Sequence, residues 1–305
     1  MTENEFLLAD RIAKIKSINE QYDLEHNAYI SFSGGKDSTV LSHLIDEALP
    51  GNTIPRVFIN TGIEYKLLVA FVERERERDN RVILIAPTQN IREVLEKYGY
   101  PFKSKLHSHK LCEWQKGNKP TSIRNYFRLE DSGYRTCPKS LLYQMNNDFT
   151  LKISDKCCYK LKREVAHKYE KTSNRTIVLT GMMTEEGGQR ENLTCIITDK
   201  NGVIKKFHPL VAVNKDFEEW YIKTRNIELC ELYYPPFNFK RTGCKGCPFT
   251  LDLQEQLYIM AEHLPQERKQ CEIIWGKVYQ EYRRIGYRLN KPDLFDLQFI
   301  PKQYQ

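Results

Sequence analysis

Residues 29–41, YISFSGGKDSTVL, decide the fold. Tyr29, Ile30 and Phe32 favour a short strand, and Val40, Leu41, Leu44, Ile45 and Ala48 then recur on one face of a helix. A strand that turns directly into a helix offers the helix's free first-turn N–H groups and positive dipole end, where phosphate is favoured. Gly34 and Gly35 would let the backbone approach an anion closely. Ser31, Ser33 and Ser38 add hydroxyls, Lys36 adds charge, and Asp37 would either cap the helix or hold a magnesium ion. Gly-Gly alone also suits an ordinary turn. The spacing is neither that of a Walker A loop nor GxGxxG.

Outward from this loop the pattern alternates. Residues 3–22 read as an amphipathic helix, 56–60 as a second strand, 64–79 as a helix, 81–86 as a third strand and 90–98 as a short helix. Strands recurring at roughly 26-residue intervals between helices indicate right-handed βαβ units, hence a Rossmann-like, doubly wound parallel sheet in the α/β class. Ligands bind such sheets at the carboxyl ends of the strands, where both the Ser-Gly-Gly loop and Thr61-Gly62 fall. Residues 99–175 break the rhythm with basic, aromatic and turn-forming residues, and are expected to be an insertion or lid. The sheet resumes at 177–181. Asp199-Lys200-Asn201-Gly202 signals a hairpin between 193–198 and 203–208. Helices are expected near 215–225, 252–263 and 265–285, with Pro265 in a first turn. The resulting plan is a first half-domain over 1–98, the basic insertion over 99–175, a second half-domain over 176–250 and a C-terminal helical, cluster-binding region over 251–305.

The chain has 305 residues, 40% hydrophobic and 29% charged, enough to bury a sizeable core. Its net charge of +7 favours anionic ligands, although a solvated basic surface explains the same excess. The start, MTENEFLLADRIAKIKS, has no long apolar stretch behind a basic one, and no run approaches the ~20 apolar residues of a membrane span. A cytoplasmic location with no membrane partner is therefore expected. Reduced thiols prevail there, so the clustered members of the nine cysteines point to metal or catalysis before disulfides. Cys157-Cys158 and Cys244-x-x-Cys247 form that cluster. A thiolate set of four suits an iron–sulfur cluster, and zinc is the rival. Cys271 falls on an apolar helix face and reads as a core thiol.

Together these motifs resemble the PAPS/APS (sulfonucleotide) reductase family of the adenine nucleotide α-hydrolase, or PP-loop, superfamily. The Ser33–Ser38 hexapeptide is similar to the superfamily's pyrophosphate loop. Asn60-Thr61-Gly62-Ile63-Glu64 resembles the family's Asp-Thr-Gly-x-Glu, with Asn60 in place of the aspartate. Gly181 to Arg190 resembles Gly-x-Arg-x-x-Glu-Ser-x-x-Arg, with Met183 where the first arginine stands. His208-Pro209-Leu210 with Trp220, and Arg241-Thr-Gly-Cys244-Lys-Gly-Cys247-Pro248, complete a likeness over about residues 25–265. The resemblance implies an adenine nucleotide (ATP, PAPS or APS) held by Ser31, Ser33, Gly34, Gly35, Lys36, Asp37, Ser38, Asn60, Thr61, Gly62, Gly181 and Arg190. It implies catalytic roles for Lys36, Asp37, Arg190 and Arg241. It also implies a [4Fe–4S] cluster on Cys157, Cys158, Cys244 and Cys247, with zinc as the alternative.

Family reductases use a nucleophilic cysteine in a C-terminal tail, and the tail here, DLFDLQFIPKQYQ, has none. The first reading is therefore ATP-dependent activation of an acceptor followed by sulfur transfer, with Asp37 and Glu64 organising magnesium. Tyr126, Phe127, Tyr134, Arg124, Arg128 and Arg135 of the basic insertion would contact a nucleic acid acceptor by charge and stacking. The partners expected on this reading are the adenine nucleotide, that acceptor, a thiol or sulfur donor protein, and a second copy in a homodimer. The alternatives are an atypical sulfonucleotide reductase whose thiol comes from Cys112, Cys137 or a partner, and a nucleotide-binding iron–sulfur redox sensor that is not an enzyme.

Overall fold

The computed structural model describes residues 2–130, 136–186 and 192–290. In chain order the elements used below are helix α1 (Glu3–Tyr22), strand β1 (Ala28–Ser31), α2 (Lys36–Ala48), β2 (Arg56–Ile59), α3 (Lys66–Arg78), β3 (Val82–Ile85), α4 (Ile91–Tyr98), α5 (Lys105–Gln115), α6 (Glu164–Ser173), β4 (Ile177–Leu179), β5 (Ile196–Thr198), β6 (Ile204–Phe207), α7 (Lys215–Arg225), α8 (Leu253–His263) and α9 (Pro265–Arg284). They fall into two compact units. The first comprises residues 1–60, 64–86 and 165–242, and the second 61–63, 87–164 and 243–305.

The first unit holds the whole sheet, in the order β3-β2-β1-β4-β6-β5. All neighbours are parallel except β5–β6. The chain winds outward from β1 through β2 to β3, then returns to β4 on the other side of β1. That reversal makes the carboxyl ends of β1 and β4 the topological switch point of a doubly wound sheet. β1 is buried along Ala28, Tyr29 and Ile30, and α2 buries Val40, Leu41, Leu44 and Ile45. The antiparallel edge is the expected hairpin. Asp199 accepts from the Asn201 and Val203 N–H groups, and Gly202 takes φ 77°.

Arg56 opens β2 fully buried, a position that a parallel strand normally gives to an apolar residue. Its guanidinium reaches Asp46 at 2.6 Å and Asp79 at 3.2 Å, and donates to Ser42. Arg81 bridges the same two carboxylates. The charge is thus tolerated because every direction it faces holds an oxygen.

The second unit shows that the stretch read as an insertion or lid contains helices. The stretch KSKLHSHK is helical because Ser104 accepts from the His107 N–H at the head of α5, after which His107, Ser108, Leu111 and Cys112 turn inward. A short helix, Thr121–Tyr126, follows. The polar letters of this segment hid a buried face made partly of polar residues: His107 bonds Tyr126 at 3.0 Å and Gln144 at 2.8 Å. Tyr126 and Phe127 are buried, at 5% and 1% exposure, and cannot stack on nucleobases. Tyr134 and Arg135 lie outside the described residues. The last two helices fall where their periodicity places them, and Pro265 occupies the first turn of α9.

Replacing Arg56 by alanine leaves Asp46 and Asp79 with Arg81 alone and opens a buried void. The expected loss is ~3 kcal/mol of unfolding free energy in urea titrations. A midpoint equal to that of the unaltered protein contradicts this account.

Candidate functional site

At the switch point the chain leaves β1 and enters α2 through Ser33-Gly34-Gly35, and hydroxyls fasten this loop. The Ser33 N–H donates to Ser38 Oγ at 3.1 Å, and the Ser33 and Ser38 hydroxyls meet at 3.0 Å. Ser38 Oγ and Thr39 Oγ1 donate to the Gly35 carbonyl at 2.9 and 3.0 Å, and the Gly35 N–H leans on Ser33 Oγ. The Lys36 N–H, first in the helix, donates to the Tyr233 hydroxyl at 2.9 Å, which in turn meets Thr242 Oγ1 at 2.9 Å. The loop remains open on one side, where Ser33 is exposed and Lys36 and Asp37 are half-buried.

The glycines serve the protein's own packing. Gly34 takes φ 68°, and a Cβ there would lie 2.7 Å from Val72 Cγ2 of α3. Gly181, just beyond β4, sits against the first turn of α2, and a Cβ would lie 2.5 Å from the Asp37 carbonyl oxygen.

Two residues that sequence reading missed complete the loop. Tyr233 lies in a short 3₁₀ turn, Glu231–Tyr233, which Arg74 of α3 grips through Glu231 at 2.9 Å. The Tyr-Tyr-Pro-Pro run carried no signal for this role. Glu218 of α7, 1% exposed, meets Lys36 Nζ at 2.7 Å. Burial, reinforced by the charge of Asp37, pushes its carboxyl up to about 7, even though Lys36 pulls the other way. Burial also works against the Lys36 ammonium, but Glu218 outweighs it and holds Lys36 above its ordinary range.

Of the other expected nucleotide ligands, Ser31 ends β1 exposed, and Asn60 follows β2 with its N–H on the Ile85 carbonyl at 2.8 Å. Arg241 is exposed and directly precedes Thr242, and Arg190 lies outside the described residues. Thr61 and Gly62 belong to the second unit, the former buried and the latter at φ 80°. Glu64 is buried in the first unit.

The second unit carries all four clustered cysteines. The Cys244–Cys247 turn is held from below by α9. Trp275 Nε1 donates to the Lys245 carbonyl at 3.0 Å, Tyr279 Oη to that of Gly246, and Tyr282 Oη to that of Pro248 at 2.8 Å. Lys245 and Glu267 form a buried pair at 3.1 Å. Lys245 N–H donates to the Ile63 carbonyl at 2.8 Å.

The four thiols feel one another's charge. Cys157 is raised well above the ordinary thiol range, first by its hydrogen bond with Cys158 and by burial, then by Cys158, Cys247 and Cys244. Cys158 falls to about 6, through that same hydrogen bond and the charges of Lys105, Lys162 and Arg163. Among the described residues no three His, Cys, Asp or Glu side chains are gathered around a common point as metal ligands. In chemistry the thiol set suits a thiolate-bound centre: four donors in one unit, with cations nearby. Of the remaining thiols, Cys112, Cys137, Cys230 and Cys271 are buried and Cys195 is half-buried. Cys137 and Cys271 are wholly buried, and burial raises them to about 11 and about 12. Cys112 is 7% exposed.

The sequence model of the phosphoadenosine phosphosulfate reductase domain matches residues 27–250. An uncharacterized protein of Methanocaldococcus jannaschii is 30% identical over 113 residues, 34% of this chain, and the chain spans only 27% of that curated relative. Among solved structures, phosphoadenylyl-sulfate (PAPS) reductase of Candida auris, a phosphate complex, is similar at 17% identity and TM-score 0.44, over 75% of this chain and 87% of that one. NH3-dependent NAD synthetase of Campylobacter jejuni is similar at 13% identity and TM-score 0.39, over 96% and 99% of the two chains.

Substituting Gly181 by alanine should displace the first turn of α2, since backbone rather than a side-chain tip blocks the methyl group. We expect a loss of ~1–3 kcal/mol in stability, read by thermal unfolding, together with weakened nucleotide binding. Unchanged binding by a well-folded variant contradicts the placement of Gly181 behind the loop.

Proposed function

The chain belongs to the phosphoadenosine phosphosulfate reductase domain family, and from that premise we propose that it binds an adenine nucleotide at the Ser33–Ser38 loop and uses it in sulfur transfer. The observation that carries this reading is the open first turn of α2 at the switch point of the sheet, with Lys36 at its head. Ser31, Ser33, Gly34, Gly35, Ser38, Asn60, Thr61, Gly62 and Gly181 would surround the nucleotide. Lys36, Arg190 and Arg241 would offset charge developing on phosphorus, and Asp37, with Glu64, would orient a nucleotide-bound magnesium ion.

In the reaction favoured here, an acceptor oxygen bonds to the α-phosphorus of ATP and pyrophosphate leaves. A sulfur nucleophile from a donor protein then takes the acceptor carbon, and AMP departs with the oxygen. Cys157, Cys158, Cys244 and Cys247 would hold a [4Fe–4S] cluster, which supplies a site for sulfur or electrons. Their shared unit and mutual electrostatic influence suit a thiolate-bound centre, with zinc as the alternative occupant.

A nucleic acid acceptor has support within the second unit. Two depressions that share Lys152 are lined by Lys116 and Lys119 beside Trp114 in one, and by Lys277 and Arg284 together with Glu96 and Glu281 in the other. Cations beside an aromatic face suit a phosphodiester strand. The reductase alternative draws on the family itself, but the two thiols it would call on within the chain, Cys112 and Cys137, are buried.

The test supplies ATP with magnesium and the acceptor and measures pyrophosphate. It then supplies PAPS or APS with a dithiol and measures sulfite. Pyrophosphate alone supports activation, sulfite alone supports the reductase, and neither, with nucleotide still bound, supports a sensor. Lys36→Ala should lower turnover by ~10²-fold or more while leaving any visible cluster absorption intact. Cys247→Ser should remove that absorption first. Full absorption and full iron content in anaerobically purified Cys247→Ser protein would overturn the cluster assignment.

A further inference from the structure

Glu218 is a carboxylate where α7 otherwise buries Phe217 and Tyr221. One of its oxygens, Oε2, meets Lys36 Nζ at 2.7 Å. The other, Oε1, is buried with no hydrogen-bond partner. The Glu218 side chain is 1% exposed, whereas that of Lys36 keeps 23% and so reaches both the carboxylate and the open side of the loop. The charged groups acting on Glu218 come from α2, namely Lys36 and Asp37. The buried residues of α1, which also packs on α7, are Leu8, Ile15 and Ile18, and none of them is charged.

The arrangement sets two carboxylates against one ammonium in a site with little water. Lys36 is the cation that offsets the two. A phosphate arriving at the head of α2 would compete for the same three ammonium hydrogens. A phosphate oxygen also gains the helix dipole, which Glu218, held on a neighbouring helix, does not use.

We propose that Glu218 is a resident counter-anion, a positioning residue that holds Lys36 beside the Ser33–Ser38 loop and gives it up to a nucleotide phosphate. This rests on the nucleotide reading above and adds the element that keeps the key cation in place before the ligand arrives. It also carries a specific consequence: Glu218 weakens binding by competing for Lys36. A merely structural Glu218 would strengthen binding by keeping the loop intact.

The experiment is a double-mutant cycle on dissociation constants for ATP and for inorganic pyrophosphate, measured by isothermal titration calorimetry with the full chain. Glu218→Gln should bind both probes about tenfold more tightly, the weight of one competing charge-assisted hydrogen bond. Lys36→Met should bind them more weakly, and adding Glu218→Gln to Lys36→Met should change nothing further. Weaker or unchanged binding by a folded Glu218→Gln protein overturns the inference, as does equal tightening without Lys36. If Glu218→Gln does not fold, Glu218→Asp, which shortens the reach of the carboxylate, should tighten binding in the same direction, and weaker or unchanged binding overturns the inference. Absence of binding by the unaltered protein defeats the nucleotide reading itself, and the exchange with it. Binding by the unaltered protein without the predicted coupling defeats the exchange alone.

Discussion

Everything at the candidate site follows from one constraint: the first N–H groups of α2 have no partners inside the helix and must find oxygens elsewhere. Placing that helix at the carboxyl end of β1, where the sheet reverses direction, leaves no strand or preceding turn to supply them. The protein answers with hydroxyls. Ser33 and Ser38 close on each other and on the loop's own backbone, and Tyr233, backed by Thr242, takes the N–H of Lys36. A turn fastened by rotatable hydroxyls rather than by buried backbone pairs can present the same donors to phosphate oxygens without unfolding. The side facing Ser33, Lys36 and Asp37 is where such oxygens have access.

The sheet was legible because each strand was short, apolar and followed by a helical face, a pattern that leaves few alternatives to a parallel sheet. The loop was legible for the same reason, since its chemistry lies in consecutive residues. Glu218 and Tyr233 were not, because they reach Lys36 across 182 and 197 positions, contacts that no periodicity encodes. Gly34 is required at the loop by its left-handed backbone and by the closeness of Val72, a constraint that the close approach of an anion would add to. The segment after residue 99 was less legible, because its polar letters do not say which of them are buried. Inside the second unit, His107 is satisfied by Tyr126 and Gln144, which makes a polar residue a core residue.

The thiol region shows a different economy. A Cys-x-x-Cys turn exposes several carbonyls on its inner side, and three aromatic residues of α9 answer them one by one: Trp275 to Lys245, Tyr279 to Gly246 and Tyr282 to Pro248. Each brings a large apolar body and a single donor, and the Arg288 guanidinium adds a charged donor to the Pro248 carbonyl. Lys245, between the cysteines, points into a buried pair with Glu267. Its charge is therefore spent on that carboxylate, and the cations that act on Cys158 are Lys105, Lys162 and Arg163 instead.

The contrast between the buried lysines clarifies what Lys36 is for. Lys245 and Glu267 are both about 4% exposed, a closed pair with no route for a competitor. Lys36 and Glu218 are unequal, at 23% and 1% exposure. A buried pair meant only to hold two elements together gains from excluding water on both sides, since every opening invites solvent to compete. An ammonium left partly open opposite a sealed carboxylate gives up some of that stability, and the open end lies at the head of the helix whose dipole attracts anions. The asymmetry costs stability and has a use only if something negative arrives from outside, which is the strongest structural reason to read this pair as part of a binding site and the Lys245 pair as scaffold.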